Sequence, residues 1–353
     1  MRNGLIVLLV IFASLWGCRK RTVGEALSLE QGSCVKGLAA LLLVLVHIGN
    51  SLSYPGFYSY LSSFGYLLVA VFFFYSGYGI TKKSVSDPRY FTKRIPNRII
   101  YLIKMVVVTE FIYYAVETIV MRKQFTAKEF LFALLGVNLL NGAMWYIVAL
   151  IIIMLCHYFI VNSFHKSENL GGGGYTVSAA VSVTIYINIS VLRGRAPWEM
   201  QSCITFVLGN AIAENEQKIM RILKKNSTAI CNCVIFASSF VAPYIVRYFL
   251  RADFSGVRVL FGSIASVAFV CIVLVALSWC EIGNTFIKKI GKISTEIYLS
   301  HQLIILLYRF YLPTAFEKSS ALMISLTVII TTILVSYLIY GVEKKIKRKV
   351  RKF

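Results

Sequence analysis

Long apolar segments recur along the whole chain, and they constrain its fold more than any other feature. The 353 residues are 58% hydrophobic, and the charged residues cluster between the apolar segments. About 20 apolar residues is the length that an α-helix needs to cross a bilayer, and backbone groups in lipid must pair internally. Because the segments are continuous rather than alternating, they predict helices. We therefore expect an all-α fold, a polytopic transmembrane helical bundle.

Ten core spans follow from these segments, together with an extra N-terminal helix. The segment 129–141 is apolar too, and the distribution of charge decides whether we count it as a membrane span. Counting it as a span separates the basic loop 82–104 from the lysine-rich loops 214–227 and 281–292 by the membrane. Leaving it out places all three loops on the cytoplasmic side, as the positive-inside rule favours, so we predict a short interfacial or re-entrant helix there. The ten spans are 37–53, 64–81, 105–121, 144–162, 175–192, 201–213, 228–246, 259–280, 293–310 and 321–341.

The chain divides into three parts. Residues 1–22 form an apolar N-terminal helix or signal-like segment, 30–342 the transmembrane domain, and 343–353 a basic cytoplasmic tail. The first part is also compatible with a secretory signal, with a lipoprotein signal ending at Cys18, or with a misassigned start codon. Three basic residues, 19–21, follow the apolar run directly. Because they oppose export of what comes after them, we favour an inserted helix with its N-terminus outside.

The net charge of +22 would indicate a nucleic-acid partner in a soluble protein. Here the lysines and arginines lie between apolar runs and in the tail, which is typical of cytoplasmic loops. This distribution predicts a multi-pass protein of the cytoplasmic (plasma) membrane, with a cytoplasmic C-terminus, membrane lipid as a partner and no nucleic acid. The loop 247–258 is the exception, because the topology places its arginines outside. They could instead form a basic patch that faces the substrate.

Lys36 and His47 are ionisable residues in one membrane-length apolar run. Ionisable side chains are costly in such a run and are usually functional. The eleven-residue separation completes about three helical turns, so the two side chains lie on nearly the same face, roughly 16 Å apart. An imidazole suits a general base because its ordinary pKa lies near neutrality. The alternative is a histidine that is hydrogen-bonded between packed helices.

A second histidine, His301, lies at a similar depth in the ninth predicted span, so the two histidines could line one cavity. The alternative is an interhelical hydrogen bond. A general base usually needs an orienting partner, and acidic residues are scarce within the spans. Glu110 is the first candidate for this role, ahead of Glu117 and Glu296. Each of these carboxylates could equally pair with a lysine or an arginine.

Four stretches of the chain resemble motifs of the membrane-bound acyltransferase-3 family, and they occur in the family's order. The first is the basic residue Lys36, followed after ten residues by His47. The others are 71–78 (VFFFYSGY), the arginine-rich 91–99 (FTKRIPNRI) and the late segment 290–301 (IGKISTEIYLSH). The resemblance implies a membrane enzyme that moves an acyl group from acyl-CoA to a hydroxyl of a surface glycan or a lipid-linked sugar.

The resemblance also implies that acetyl-CoA, or another acyl-CoA, binds at the basic stretch between residues 82 and 104. Arginine pairs bidentately with phosphate oxygens, and lysine adds a point charge. Ile95 stands where the family more often has a second arginine, which leaves the register of the phosphate contacts open. Positive-inside topology explains the charge equally well. The predicted donor-site residues are Lys36, Lys82, Lys83, Arg94, Arg98 and, by resemblance, Ser76.

The sequence thus predicts an O-acyltransferase with His47 as the central base and with His301 and Glu110 as further catalytic residues. Two other functions stay open. A proton-coupled transporter of a small solute would also use intramembrane histidine and glutamate, although we find no inverted repeat. A non-catalytic membrane partner of glycan assembly is the third reading. The eight cysteines lack zinc-ligand spacing, so no metal is predicted, and the oligomeric state is left open.

Overall fold

Helices make up nearly all of the structure. The computed structural model describes residues 2–21, 26–165, 173–250, 254–282, 284–317 and 321–350. Two short strands, β1 (Cys18–Lys20) and β2 (Cys280–Ile282), and two 3₁₀ helices, Gly142–Met144 and Pro197–Glu199, complete the fold. The α-helices are α1 (Arg2–Leu15), α2 (Leu29–Ser51), α3 (Phe57–Ser63), α4 (Gly65–Ser86), α5 (Pro88–Ile119), α6 (Ala127–Leu134), α7 (Trp145–His165), α8 (Gly174–Leu192), α9 (Ile204–Glu214), α10 (Glu216–Leu223), α11 (Asn226–Leu250), α12 (Phe254–Trp279), α13 (Thr285–Lys292), α14 (Ser294–Tyr311), α15 (Pro313–Glu317) and α16 (Ala321–Val350).

The predicted polytopic all-α bundle is confirmed. Among the described residues, eight helices are long and apolar enough to cross a membrane, and they correspond to eight of the ten predicted spans. The other two predicted segments are also helical. The segment 201–213 becomes α9, which has only 11 residues, and 293–310 becomes α14, which has 18 residues and buries the polar residues Glu296 and His301.

The apolar segment 129–141 contains a short helix and then breaks, as expected. Helix α6 begins with a capping box, in which the side chains of Thr126 and Glu129 bond to each other's backbone N–H groups. The hydrogen bond from the backbone N–H of Thr126 lowers the pKa of the Glu129 carboxyl. The helix ends at Leu134, and Gly136 takes a positive φ of 68°. The chain then turns towards α7.

Helices α4 and α9 pack with their backbones in contact. A Cβ atom on Gly77 would lie under 3.0 Å from the backbone carbonyl oxygen of Phe206, and one on Gly209 would meet that of Phe74 equally closely. Small residues allow this close approach between helices in membranes. Gly77 therefore has a packing role, next to Ser76 of the predicted donor site.

A second close crossing joins α2 to α13. A Cβ atom on Gly37 would lie 2.5 Å from the carbonyl oxygen of Ile287. One on Gly291 would overlap the carbonyl oxygen of Ser33, far inside the 3.0 Å limit that real Cβ atoms keep. Since α13 leads directly into α14, this crossing fixes the helix that carries His47 against the helix that carries His301.

The N-terminal segment packs against the bundle. Helix α1 contacts α2, α3 and α16, and its Ile6 side chain is fully buried. The strand that follows it, β1, pairs antiparallel with β2, and Arg21 donates to the carbonyl of Leu277 at 2.7 Å.

The C-terminal helix continues through the segment that we set apart as a tail. Helix α16 runs to Val350, so 343–350 is helical, and 351–353 lies outside the described residues. Residues 251–253 of the exceptional basic loop also lie outside them. Arg258, at the start of α12, is described and is exposed.

Candidate active site

His47 of α2 and His301 of α14 lie side by side. Their ring centroids are 4.9 Å apart, and the rings are tilted by 44°. His301 is buried at 1% exposure, whereas His47 is half-buried. The equal depth expected from the two helices thus brings the two imidazoles into contact.

The hydrogen bonding of His301 fixes its neutral tautomer. Its Nδ1 atom lies 2.9 Å from the backbone carbonyl oxygen of Ile297, one turn earlier on the same helix. A carbonyl oxygen only accepts, so Nδ1 must carry the hydrogen and donate it. The lone pair of the neutral ring is then on Nε2, which is buried and has no hydrogen-bond partner among the described residues. Nε2 of His301 can therefore accept a proton or a hydrogen bond.

A cavity of about 580 Å³ opens beside the histidine pair, and His47 is part of its wall. This volume lies within the range of small-molecule sites. Trp145 and Trp198 line it with an edge-to-face contact of 5.4 Å between ring centroids. The amide side chains of Asn50 and Gln201 line it too. Apolar surface with a few placed polar groups is what binds and orients a small organic ligand.

Two tyrosines connect the histidines to Ser76. Tyr298 lines the cavity, its ring lies 5.8 Å from that of His301, and its hydroxyl donates to the carbonyl of Ala143. The ring of Tyr146 lies 5.5 Å from that of Tyr298. The hydroxyl of Tyr146 is 3.4 Å from Oγ of Ser76. A buried row of hydroxyl-bearing side chains thus leads away from the cavity.

A cationic cluster lies at the far end of this row. The amine of Lys36 sits 5.9 Å from the ring centroid of Tyr75 and is close enough to the guanidinium of Arg98 to be repelled by it. Arg98 also interacts electrostatically with Tyr146. Lys36 precedes His47 by about three turns of α2, whereas Asn50 of the cavity follows it by about one turn. The cations and the cavity are therefore on opposite sides of the histidine pair.

The other predicted cations have different surroundings. Lys82 forms a 2.5 Å ion pair with Glu216, and Lys83 lies 5.4 Å from the ring centroid of Tyr90. Arg94 is exposed on α5. Of the predicted donor-site residues, Lys36 and Arg98 lie within electrostatic range of each other, and Ser76 is linked to Arg98 through the hydroxyl of Tyr146. Within the described ranges, no group of three or more His, Cys, Asp or Glu side chains could hold a metal ion.

The partners of Glu110 differ from the histidine that the sequence suggested. Its two carboxylate oxygens accept from the backbone N–H groups of Leu140, at 2.7 Å, and Asn141, at 3.2 Å. These N–H groups immediately precede the 3₁₀ helix whose Ala143 carbonyl accepts from Tyr298. Glu110 therefore stabilises the backbone that holds Tyr298 beside the histidines.

Several residues of the site were not predicted. Tyr298 precedes His301 by three positions, so helical periodicity alone could have placed it on the same face. Trp198 and Gln201 come from the turn between α8 and α9, which carries no recognisable motif. Outside this group, His157 of α7 is also buried, at 1% exposure, and its Nδ1 atom lies 2.9 Å from Oγ of Ser178.

Comparison with known families gives one match. A family model described as an acyltransferase domain, acyltransferase-3, matches residues 33–341, which run from α2 into α16. That range includes both histidines, the cationic cluster and every residue of the cavity wall named above. Comparison with curated proteins and with solved structures gives no match.

Proposed function

The chain belongs to the acyltransferase-3 family of membrane acyltransferases, and we propose that it moves an acetyl or other short acyl group from acyl-CoA to a sugar hydroxyl. The donor binds from the cytoplasmic side, and the acceptor is a cell-surface glycan or a lipid-linked sugar. The observation that carries this proposal is the position of the His47–His301 pair, between a cationic cluster and a polar, aromatic cavity.

The cationic cluster fits the donor. Acyl-CoA carries several phosphates, and charge-assisted hydrogen bonds from arginine are short and bidentate. Arg98 and Lys36 supply a fork and a point charge near Ser76. The acyl thioester, at the end of a flexible arm, would then extend along the tyrosine row towards His47. Lys82, Lys83 and Arg94 add positive charge around the entrance.

His47 acts as the general base. It takes the proton of an acceptor hydroxyl in the cavity while that oxygen attacks the thioester carbonyl carbon. The carbon–sulfur bond then breaks, and the CoA sulfur leaves with the proton that His47 returns. Nε2 of His301 can accept a hydrogen bond from the imidazole of His47, which raises the basicity of the other nitrogen. The single hydrogen of Tyr298 is committed to Ala143, so towards a substrate its oxygen can only accept.

The first experiment compares wild type with His47→Ala in nanodiscs, with radiolabelled acetyl-CoA and a panel of glycan acceptors. Loss of a general base typically slows turnover by about 10²–10⁴-fold. We expect a loss in this range, with acetyl-CoA still bound. The control is His157→Asn, because His157 is another histidine of a predicted span, outside the cavity wall, whose bond to Ser178 an amide can keep.

Two results would contradict the proposal. Equal turnover by His47→Ala and the control would remove His47 from the mechanism. If wild type binds no acetyl-CoA, the transporter alternative becomes the better one.

A second experiment tests the donor site. Hydrogen bonds to charged groups are worth about 1.5–3 kcal/mol each, so Arg98→Gln should weaken acetyl-CoA binding by about tenfold or more. Lys82→Gln is the control, because Lys82 already pairs with Glu216, and its effect should be small. If both variants bind acetyl-CoA equally, the cationic cluster is not the phosphate site.

A further inference from the structure

Asn50 and His47 share one face of α2 and one cavity. Both side chains line the cavity wall, and Asn50 follows His47 by three positions. Side chains with this spacing are neighbours on a helix, with Cβ atoms about 5–6 Å apart. Asn50 is exposed and lies in the last turn of α2, which ends at Ser51. A ligand hydroxyl that reaches His47 therefore has the carboxamide of Asn50 beside it.

The carboxamide of Asn50 is available to a ligand. It has no hydrogen-bond partner within the part of the chain that the structure describes. Asn188, an exposed asparagine of α8, instead donates to the carbonyl oxygen of Thr184 at 2.8 Å. An amide offers two N–H donors and an oxygen acceptor, so it can pair with a hydroxyl, which both donates and accepts.

Other polar groups of the wall present oxygens that only accept. Ser62 and Ser63 donate to carbonyl oxygens one turn earlier on α3, at 2.9 and 3.2 Å, and Ser239 donates within α11 at 2.6 Å. The hydroxyl of Tyr298 is committed to Ala143. Once its single hydrogen is used, a hydroxyl oxygen can only accept. A wall with these oxygens favours a ligand that carries several hydroxyl donors.

We propose that the acceptor presents two adjacent hydroxyl groups, one to His47 and the other to Asn50. This inference rests on the proposed function and names the acceptor class, a sugar with a free vicinal diol. The oxygens of adjacent hydroxyl groups lie about 3 Å apart, which is hydrogen-bond distance, so two neighbouring side chains can hold them together. Asn50 exchanges no proton. It holds the unreacted hydroxyl and thereby orients the hydroxyl that attacks the thioester.

The test measures acetyl transfer by the full chain in nanodiscs, with acetyl-CoA and the methyl glycosides of glucose, galactose and mannose. The acetylated position is mapped by NMR. The hydroxyls at C2, C3 and C4 of these sugars have a hydroxyl neighbour, whereas the one at C6 has none. We expect transfer to one of the first three, and removal of a neighbouring hydroxyl in the matched deoxy glycoside should lower kcat/KM by about tenfold.

Asn50→Ala should abolish the difference between the diol and the deoxy glycoside, because the contact is then already lost. Asn50→Asp should keep part of the difference, since its carboxylate still accepts from a hydroxyl. In both variants the KM for acetyl-CoA should stay at the wild-type value. Asn188→Ala is the matched control, because Asn188 is an exposed asparagine outside the cavity wall, and it should discriminate like wild type.

Three results would reject the diol contact and keep the acyltransferase function. They are transfer to the C6 hydroxyl, transfer to deoxy glycosides as fast as to the diols, and equal discrimination by Asn50→Ala and Asn188→Ala.

Equilibrium binding of the same glycosides, measured in parallel, distinguishes the two proposals. Binding that depends on both the diol and Asn50, without any transfer, would contradict the acyltransferase function and keep the diol site. If wild type neither binds nor acetylates any of the glycosides at millimolar concentration, the diol inference is overturned. The glycan panel of the first experiment then decides the acyltransferase function.

Discussion

Replacing Gly291 by alanine should disturb the active site from a distance. The added Cβ atom would overlap the carbonyl oxygen of Ser33 on α2, and to reach the 3.0 Å limit of real contacts α13 must retreat by about 1 Å. Because the obstacle is helix backbone, it cannot rotate away as a side chain does. The displacement passes into α14, which begins two residues after α13 ends and carries His301.

The expected effects follow from this displacement. Forcing an extra carbon into a close-packed contact costs about 1–3 kcal/mol in the free energy of unfolding. A misplacement of about 1 Å between reacting groups can cost about 100-fold in rate. The His47–His301 centroid distance of 4.9 Å should increase, so we expect acetyl transfer to fall by about that factor while acetyl-CoA still binds.

The assay combines thermal unfolding in detergent with acetyl-transfer kinetics in nanodiscs. Gly79→Ala is the matched control, because Gly79 lies within helix α4 and has open space where its Cβ atom would be. Alanine is the better helix former, so this control should be neutral or slightly stabilising. If Gly291→Ala unfolds and transfers like Gly79→Ala, the close crossing of α2 and α13 does not position the histidines.

Three further treatments test neighbouring contacts. Tyr298→Phe leaves the buried carbonyl of Ala143 without its donor, so the free energy of unfolding in detergent should fall by about 1–3 kcal/mol. Glu110→Ala releases the two backbone N–H groups before that carbonyl, so transfer kinetics should slow while acetyl-CoA still binds. A short bifunctional thiol reagent should join Cys18 to Cys280, as detected by mass spectrometry, because the two thiols meet across β1 and β2. Burial and the nearby Cys280 raise the pKa of the Cys18 thiol, so the cross-link should form faster at mildly alkaline than at neutral pH.

Each of these treatments has a control in the same chain. Tyr311→Phe removes the hydroxyl of an exposed tyrosine on the same helix and should leave stability unchanged. Glu117→Ala removes a carboxylate of the same helix that pairs with a lysine, and its transfer rate should stay near wild type. Cys231 and Cys233, exposed on α11, should not be joined to Cys18. The packing described would be contradicted if Tyr298→Phe and Tyr311→Phe lost the same stability, or if Glu110→Ala and Glu117→Ala lost the same transfer rate. A cross-link from Cys18 to α11 would contradict it too.

The bundle was predictable because the length of an apolar run is enough to identify a membrane-spanning helix, whatever the rest of the chain does. The two segments that fall short show where this reasoning ends. Helix α14 is more polar than the other spans, and its Glu296 and His301 are buried among other helices. Helix α9 is short, and its backbone packs against α4 at Gly209. The contacts that bury the polar residues of α14 and hold the short α9 come from helices distant in the chain. The hydropathy of a segment gives no information about these contacts.

The meeting of His47 and His301 was predictable for a similar reason, because counting residues from the start of a helix gives the depth of a side chain. The partner of Glu110 was not predictable in this way. It depends on how the loop before α7 folds back against α5, about 30 residues away in the chain. Arg258 and Trp198 likewise line one cavity because of loop conformation and helix rotation. No periodic pattern in the sequence predicts either of these two properties.

The hydrogen bond between His301 and Ile297 has a consequence for the protein in motion. Donor and acceptor belong to the same helix, one turn apart, so they travel together when neighbouring helices move. An opening of the cavity can change the distance between His301 and His47, but it does not change which nitrogen of His301 bears the hydrogen. The tautomer of His301 therefore stays the same when neighbouring helices move. Each time the helices return, Nε2 is again the nitrogen that can accept a proton, with no prior proton exchange with water.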